Sequence, residues 1–128
     1  MKLLLDTCTF IWIGGGADKL SRLAREVYLD PVNECYLSAA SAWEITVKYA
    51  LGKLPLPGRP EEYIPFLREK SGFDSLPVDE ESALHTSRLP NLHADPFDRI
   101  LVAQAIVHGM VILTPDPAIT QYPARILW

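Results

Sequence analysis

Four acids in this 128-residue chain sit where a charge needs a reason. Asp6 directly follows three leucines, Glu44 lies between Trp43 and Ile45, and Asp116 follows the apolar run "MVILT". Asp98 closes the segment "DPFD", which Asp95 opens, at the mouth of another apolar stretch. Carboxylates gathered in one place repel and raise one another's pKa values unless a cation neutralises them. Oxygen donors without Cys or His favour Mg2+ or Mn2+, and Mg2+ binds through few carboxylates together with substrate phosphates. Such a site suits phosphodiester cleavage.

Taken singly, each acid also has a structural explanation. Asp95 fits a helix N-cap with Pro96 in the first turn. Asp98 then falls at the third helical position, where it favours the helix dipole and can reach back in a capping box. Asp95 and Arg99 have the i, i+4 spacing of a surface ion pair. "SAWE" (41–44) matches a capping box, yet Ser38 is an equally good cap, and a helix begun there leaves Glu44 more than a turn inside with no capping role. Asp116 can cap a short helix at Pro117. Asp6 is hardest to dismiss, because an unpaired charge at a buried strand end is costly.

The elements that must position these acids alternate between strand and helix. "KLLL" (2–5), "CYLS" (35–38), "MVILT" (110–114) and, more weakly, "FDSLPV" and "ARILW" read as strands. "KLLL" and "MVILT" have the unbroken apolar character of parallel strands covered on both faces. Helices are predicted from about Asp18 to Asp30, over "AASAWEITVKYALGK", over "EEYIPFLREKSG", where Pro65 should kink or shorten it, over "DEESALHTSRL", and from Pro96 to His108. Gly14, Gly15 and Gly16 read as a flexible connection rather than a phosphate loop, since no Gly-Lys-Ser/Thr follows. The pattern implies an α/β fold, a three-layer α/β/α sandwich around a central, mainly parallel sheet. Ligands bind such sheets at the carboxyl ends of the strands, which puts Asp6 and Asp116 on one rim.

Length and composition, 48% hydrophobic and 22% charged, fit one globular domain spanning 1–128. The net charge of −4 argues against a basic nucleic-acid coat protein, unless acids are held in a metal site; four such carboxylates would account for the whole excess. Two cysteines give neither a disulfide framework nor zinc spacing. No apolar run reaches membrane-spanning length, and Asp6 interrupts anything like a signal peptide, so a cytoplasmic protein without a membrane partner is expected.

The segments "LLLDTCTFIW", "LSAASAWEITVKYALGKLPLP", "HADPFDRILVAQA" and "ILTPDPAITQYPARILW" together resemble the PIN-domain family, and within it the VapC-type ribonuclease toxins of prokaryotic toxin–antitoxin pairs. The resemblance runs from end to end and leaves only about 60–88 unmarked. It implies an Mg2+- or Mn2+-dependent endoribonuclease whose acidic quartet falls on Asp6, Glu44, Asp98 and Asp116. In that reading Asp6 and Asp98 bind the main ion, while Glu44 and Asp116 complete the site or hold a second ion. Thr114 falls on the family's strand-end threonine, whose hydroxyl orients the last acid or a water on the ion. Asp95 and Thr7 are supporting residues. The resemblance also implies an RNA substrate, a VapB-type antitoxin and a homodimer. A housekeeping RNA-processing nuclease of the same family, or a non-catalytic metal- or RNA-binding module, is the alternative.

Haloacid-dehalogenase phosphatases and response-regulator receivers share the first strand ending in Asp. The former need an acid where Cys8 stands, and the latter need adjacent acids where Thr7 follows Asp6. Lys48, Lys53 and Arg99 are candidate phosphate contacts, as is Arg59, although solvated charge is the plainer reading of each. Trp12 and Trp43 lie in apolar segments and read as core rather than base-stacking residues. His93 is close to the "DPFD" block without a role that its spacing defines.

Overall fold

The structure, a computed structural model, describes residues 1–128. Lys2–Leu5 forms β1, and its three leucines explain its place at the centre. Successive strand residues point to opposite faces. Leu3 and Leu5 enter one core and Leu4 enters the other, all with no exposure. Strand β2 (Glu34–Ser38) and strand β4 (Val111–Leu113) flank β1 in parallel, so that Leu5 lies level with both Leu37 and Leu113. Beyond them run β3 (Asp74–Leu76) and β5 (Ile126–Leu127), giving an all-parallel sheet of order β3-β2-β1-β4-β5.

Helices cover both faces, as the sandwich reading expects. Phe10 of α1 (Thr7–Gly15), Ala24 of α2 (Arg22–Leu29), Ile45 of α3 (Ala39–Ala50), and Ile64 and Leu67 of α4 (Pro60–Lys70) fill the core on one side. On the other side, Leu101 and Val102 of α6 (Pro96–His108) meet Ile119 of α7 (Pro117–Thr120), while α5 (Glu80–His85) packs against α6. The chain steps from β1 outward to β2 and β3, then crosses back to β4 on the far side of β1. That reversal opens a crevice at the carboxyl ends of the central strands.

Three local expectations give way to tertiary packing. Gly14 and Gly15 belong to α1 rather than to a flexible connection. A β-carbon at Gly14 would strike the Tyr63 hydroxyl and come within 2.7 Å of Leu67 Cδ2, so glycine lets α1 and α4 approach closely. The helix expected from Asp18 is split: residues 17–19 form a separate 3-10 turn, and α2 starts only after Ser21, whose hydroxyl accepts the Ala24 N–H at 2.9 Å. Such a side chain competes for an amide and begins a new helix. Pro65 does not shorten α4, which runs on to Lys70 with Ile64 and Leu67 buried before and after it.

Candidate functional site

Four different elements deliver the four acids to the crevice. Asp6 leaves β1 and caps α1, its Oδ1 accepting the Thr9 N–H at 2.8 Å. Ser38 ends β2 and caps α3, so the alternative start at Ser41 is not used and Glu44 lies inside the helix, 6% exposed. Asp95 caps α6, accepting from the amides of Phe97 at 2.9 Å and Asp98 at 3.3 Å. Asp116 follows β4 and caps α7, its Oδ1 accepting the Ala118 N–H at 2.9 Å. One pocket is lined by Asp6, Glu44, Asp98 and Asp116 together with Thr7 and Lys48.

Two buried ties hold this arrangement. Gln104, fully buried on α6, accepts the Ser38 hydroxyl at 2.6 Å and donates to the Pro77 carbonyl at 3.0 Å, which fixes α6 against the start of α3. The Thr9 hydroxyl donates to the Leu113 carbonyl at 3.0 Å and binds α1 to β4.

Within the pocket each acid has a partner. The Thr114 hydroxyl donates to Asp6 Oδ2, and its oxygen accepts the Asp116 N–H at 3.0 Å, so one threonine links the first and last acids. The Cys8 thiol also donates to Asp6 Oδ2, at 3.1 Å. Thr7 donates to Glu44 Oε1 at 2.6 Å, and Lys48 pairs with Glu44 Oε2 one helical turn along. His93 Nε2 lies 3.0 Å from Asp98 Oδ2. Asp98 does not reach back to close a capping box, because its carboxylate is turned to His93 instead of to the Asp95 N–H.

The charges are poorly compensated. Burial pushes Asp6 above its ordinary value despite the bonds from Thr114, Thr9 and Cys8. Asp98 is pushed up to about 6, first by burial and then by the charges of Asp95, Glu44 and Asp116, with the His93 bond pulling the other way. Lys48 is raised by its bond to Glu44, with Asp95 and Asp98 adding to the effect. The Cys8 thiol is driven well above the usual range by burial and by Asp6, so it stays protonated.

The donor set suits a hard divalent cation: four carboxylates, two of them destabilised as anions, with one lysine as the lining cation. As the side chains lie, no three Asp, Glu, His or Cys residues converge to hold one ion, because Glu44 is turned to Thr7 and Lys48 and Asp116 to its cap. An ion taken through one or two carboxylates, with water and phosphate supplying the remainder, matches the coordination habit of Mg2+.

The other candidates divide clearly. Lys48 and Thr7 line the pocket, whereas Lys53 is exposed outside its lining. Arg99 makes no ion pair with Asp95; it donates to the carbonyls of Pro90 at 2.9 Å and Thr86 at 3.1 Å and to the Tyr122 hydroxyl at 2.9 Å, which ties down the preceding loop. Arg59 pairs with Glu61 and Glu62. Neither tryptophan joins the buried core: Trp12 is half-buried, lines the pocket and packs on Trp128, and Trp43 is 64% exposed beside Phe97, because α3 turns Glu44 and Ile45 inward instead. Sequence reasoning passed over Cys8 and left His93 without a role. The position of His93 five residues before Asp98 was visible, but its second partner, Tyr122, lies 29 residues away.

Comparison with known proteins gives a consistent picture. The family model for the PIN domain matches residues 3–124. Ribonuclease VapC16 of Mycobacterium tuberculosis is 43% identical over 61 residues, a match covering 48% of this chain and 43% of that protein. A chain in the VapBC2 structure from Rickettsia felis, bound to a DNA fragment from their promoter, superposes with a TM-score of 0.74 at 13% identity, over 99% of this chain and 98% of that one. A chain in the VapBC-1 structure from nontypeable Haemophilus influenzae gives 0.69 at 18% identity, over 99% and 97%. These structural likenesses concern the fold. No helix here is long and apolar enough to cross a membrane.

Proposed function

This chain belongs to the PIN-domain family, and we propose that it is a metal-dependent endoribonuclease serving as the toxin of a type II toxin–antitoxin pair. The observation that supports the nuclease reading is the pocket itself, which acids from four elements line and where burial opposes the charge on Asp6 and Asp98. The likeness to Ribonuclease VapC16 and to chains in VapBC structures supports the toxin role. By the same reasoning its partners are RNA, a VapB-type antitoxin and a second copy of the chain. Such partners put its work in the cytoplasm.

In the proposed mechanism, Asp6 and Asp98 would hold Mg2+ or Mn2+, and Glu44 and Asp116 would complete the site or hold a second ion. The bound ion supplies a Lewis acid for the scissile phosphate. Thr114 and Thr9 keep the Asp6 carboxylate fixed, and Thr7 does the same for Glu44. Asp116 has one oxygen committed to the Ala118 N–H, which leaves the other to orient the attacking water. Lys48 adds positive charge where the RNA backbone enters. Attack in line on phosphorus, with the bond to the 3′ oxygen breaking, leaves a 5′-phosphate and a 3′-hydroxyl.

The test is expression of the chain with and without Asp98→Asn, followed by sequencing of the 5′-phosphorylated RNA ends that accumulate. Discrete new ends and growth arrest in the unsubstituted chain alone are expected. Equal cleavage by Asp98→Asn would overturn the assignment.

A further inference from the structure

We propose that Tyr122 and His93 form a positioning pair that presents the Asp98 carboxylate to its cation through a hydrogen-bond relay of fixed direction. This rests on the reading of Asp98 as a metal ligand and adds residues which that reading leaves without a task.

The direction follows from donor chemistry. The Arg99 guanidinium can only donate, and its Nη1 lies 2.9 Å from the Tyr122 hydroxyl oxygen. Tyr122 accepts that bond and keeps its own proton for the one remaining neighbour, His93 Nδ1, at 2.6 Å. An imidazole that accepts at Nδ1 carries its proton on Nε2. That N–H then donates to Asp98 Oδ2 at 3.0 Å. The reverse tautomer would set a bare nitrogen lone pair against a carboxylate.

The relay is anchored and buried at its far end and partly shielded at His93 and Asp98. Tyr122 is 3% exposed, its ring packs against His93 with centroids 5.3 Å apart, and the Arg99 guanidinium lies 5.8 Å from the ring centre. Arg99 is pinned in turn by the carbonyls of Thr86 and Pro90, so the loop carrying His93 cannot shift without breaking it. Asp95 serves the α6 amides, and the Asp98 carboxylate bonds His93 rather than any amide. The result commits Asp98 Oδ2 to the protein and leaves Oδ1 for the site. Outer partners of metal-bound side chains commonly change metal affinity by about 10–100-fold.

The experiment titrates the full chain with Mn2+ by calorimetry and reads the His93 tautomer by 15N NMR. In the unsubstituted chain His93 should show the Nε2–H tautomer. His93→Phe should weaken Mn2+ binding about tenfold or more while the metal-free chain keeps its helical spectrum. His93→Gln, whose amide can donate from a similar position, should recover most of that loss. Tyr122→Phe should scramble the tautomer and weaken binding by a smaller factor. Mn2+ affinity unchanged in His93→Phe, or an Nδ1–H tautomer in the unsubstituted chain, would overturn the relay while leaving the metal site standing. Absence of Mn2+ binding by the unsubstituted chain would overturn the metal-site reading and this proposal with it.

Discussion

Two aspartate–histidine pairs stand near opposite ends of α6, and they behave in opposite ways. At the C-terminal end, His108 Nε2 lies 2.8 Å from Asp79 Oδ1, and Asp79 caps α5 through the Ser82 amide and hydroxyl. At the N-terminal end, His93 Nε2 lies 3.0 Å from Asp98 Oδ2. Asp79 is held well below the usual carboxylate range, by the His108 bond first and then by Ser82. Asp98 is pushed up to about 6 despite a nearly identical contact. Contact with histidine therefore does not by itself set the outcome. Burial and three neighbouring acids do, and they mark one aspartate as a completed cap and the other as a group still short of positive charge.

The largest difference should appear in cleavage. Asp98→Asn should reduce RNA cleavage by more than the ~100-fold that loss of an outer-shell partner costs, whereas Asp79→Ala should leave it unchanged in a gel-based assay. Loss of activity in both would remove the distinction. Next in size is metal-linked stability. Mn2+ at about 100 times its dissociation constant should stabilise the chain by about 2.7 kcal/mol. Thermal melts should show that gain vanish in Asp6→Asn and Asp98→Asn and survive in Asp79→Ala.

The two pairs themselves were not legible in the sequence, but much of the frame that holds them was. Asp95 with Pro96 at the start of α6, and Gly109 at its end in the left-handed conformation, follow from helix-end chemistry alone. The unbroken leucines of β1 and the apolar "VIL" of β4 announced strands covered on both faces, and parallel topology then brought Asp6 and Asp116 to one rim. What could not be read depends on contacts between distant parts of the chain. The target of Arg99, the tie between His93 and Tyr122, and the close approach at Gly14 each join segments that no local period connects. The exposure of Trp43 escaped for a related reason, since an apolar neighbourhood in sequence does not say which way a helix faces.

The smallest effect, and the one that isolates electrostatics, lies in the pH dependence of the metal-free chain. For Asp98 the folded-state pKa of about 6 exceeds the ordinary carboxylate value of 3.8. The unfolded chain then releases this proton first as pH rises, so stability falls between about pH 4 and 6. A shift of this size corresponds to about 2–3 kcal/mol at pH 7, which Asp98→Asn should restore in denaturation carried out with EDTA. Asp79 has the opposite sign. Its folded pKa is depressed, so its contribution is present above the ordinary carboxylate value and is lost as pH falls below it. Asp98→Asn should make the fall above pH 4 shallower, whereas Asp79→Ala should lower stability evenly above pH 4 and change the slope only below. A single shared response in both variants would mean that the two pairs feel the same field, and the burial argument for the site would fail with it.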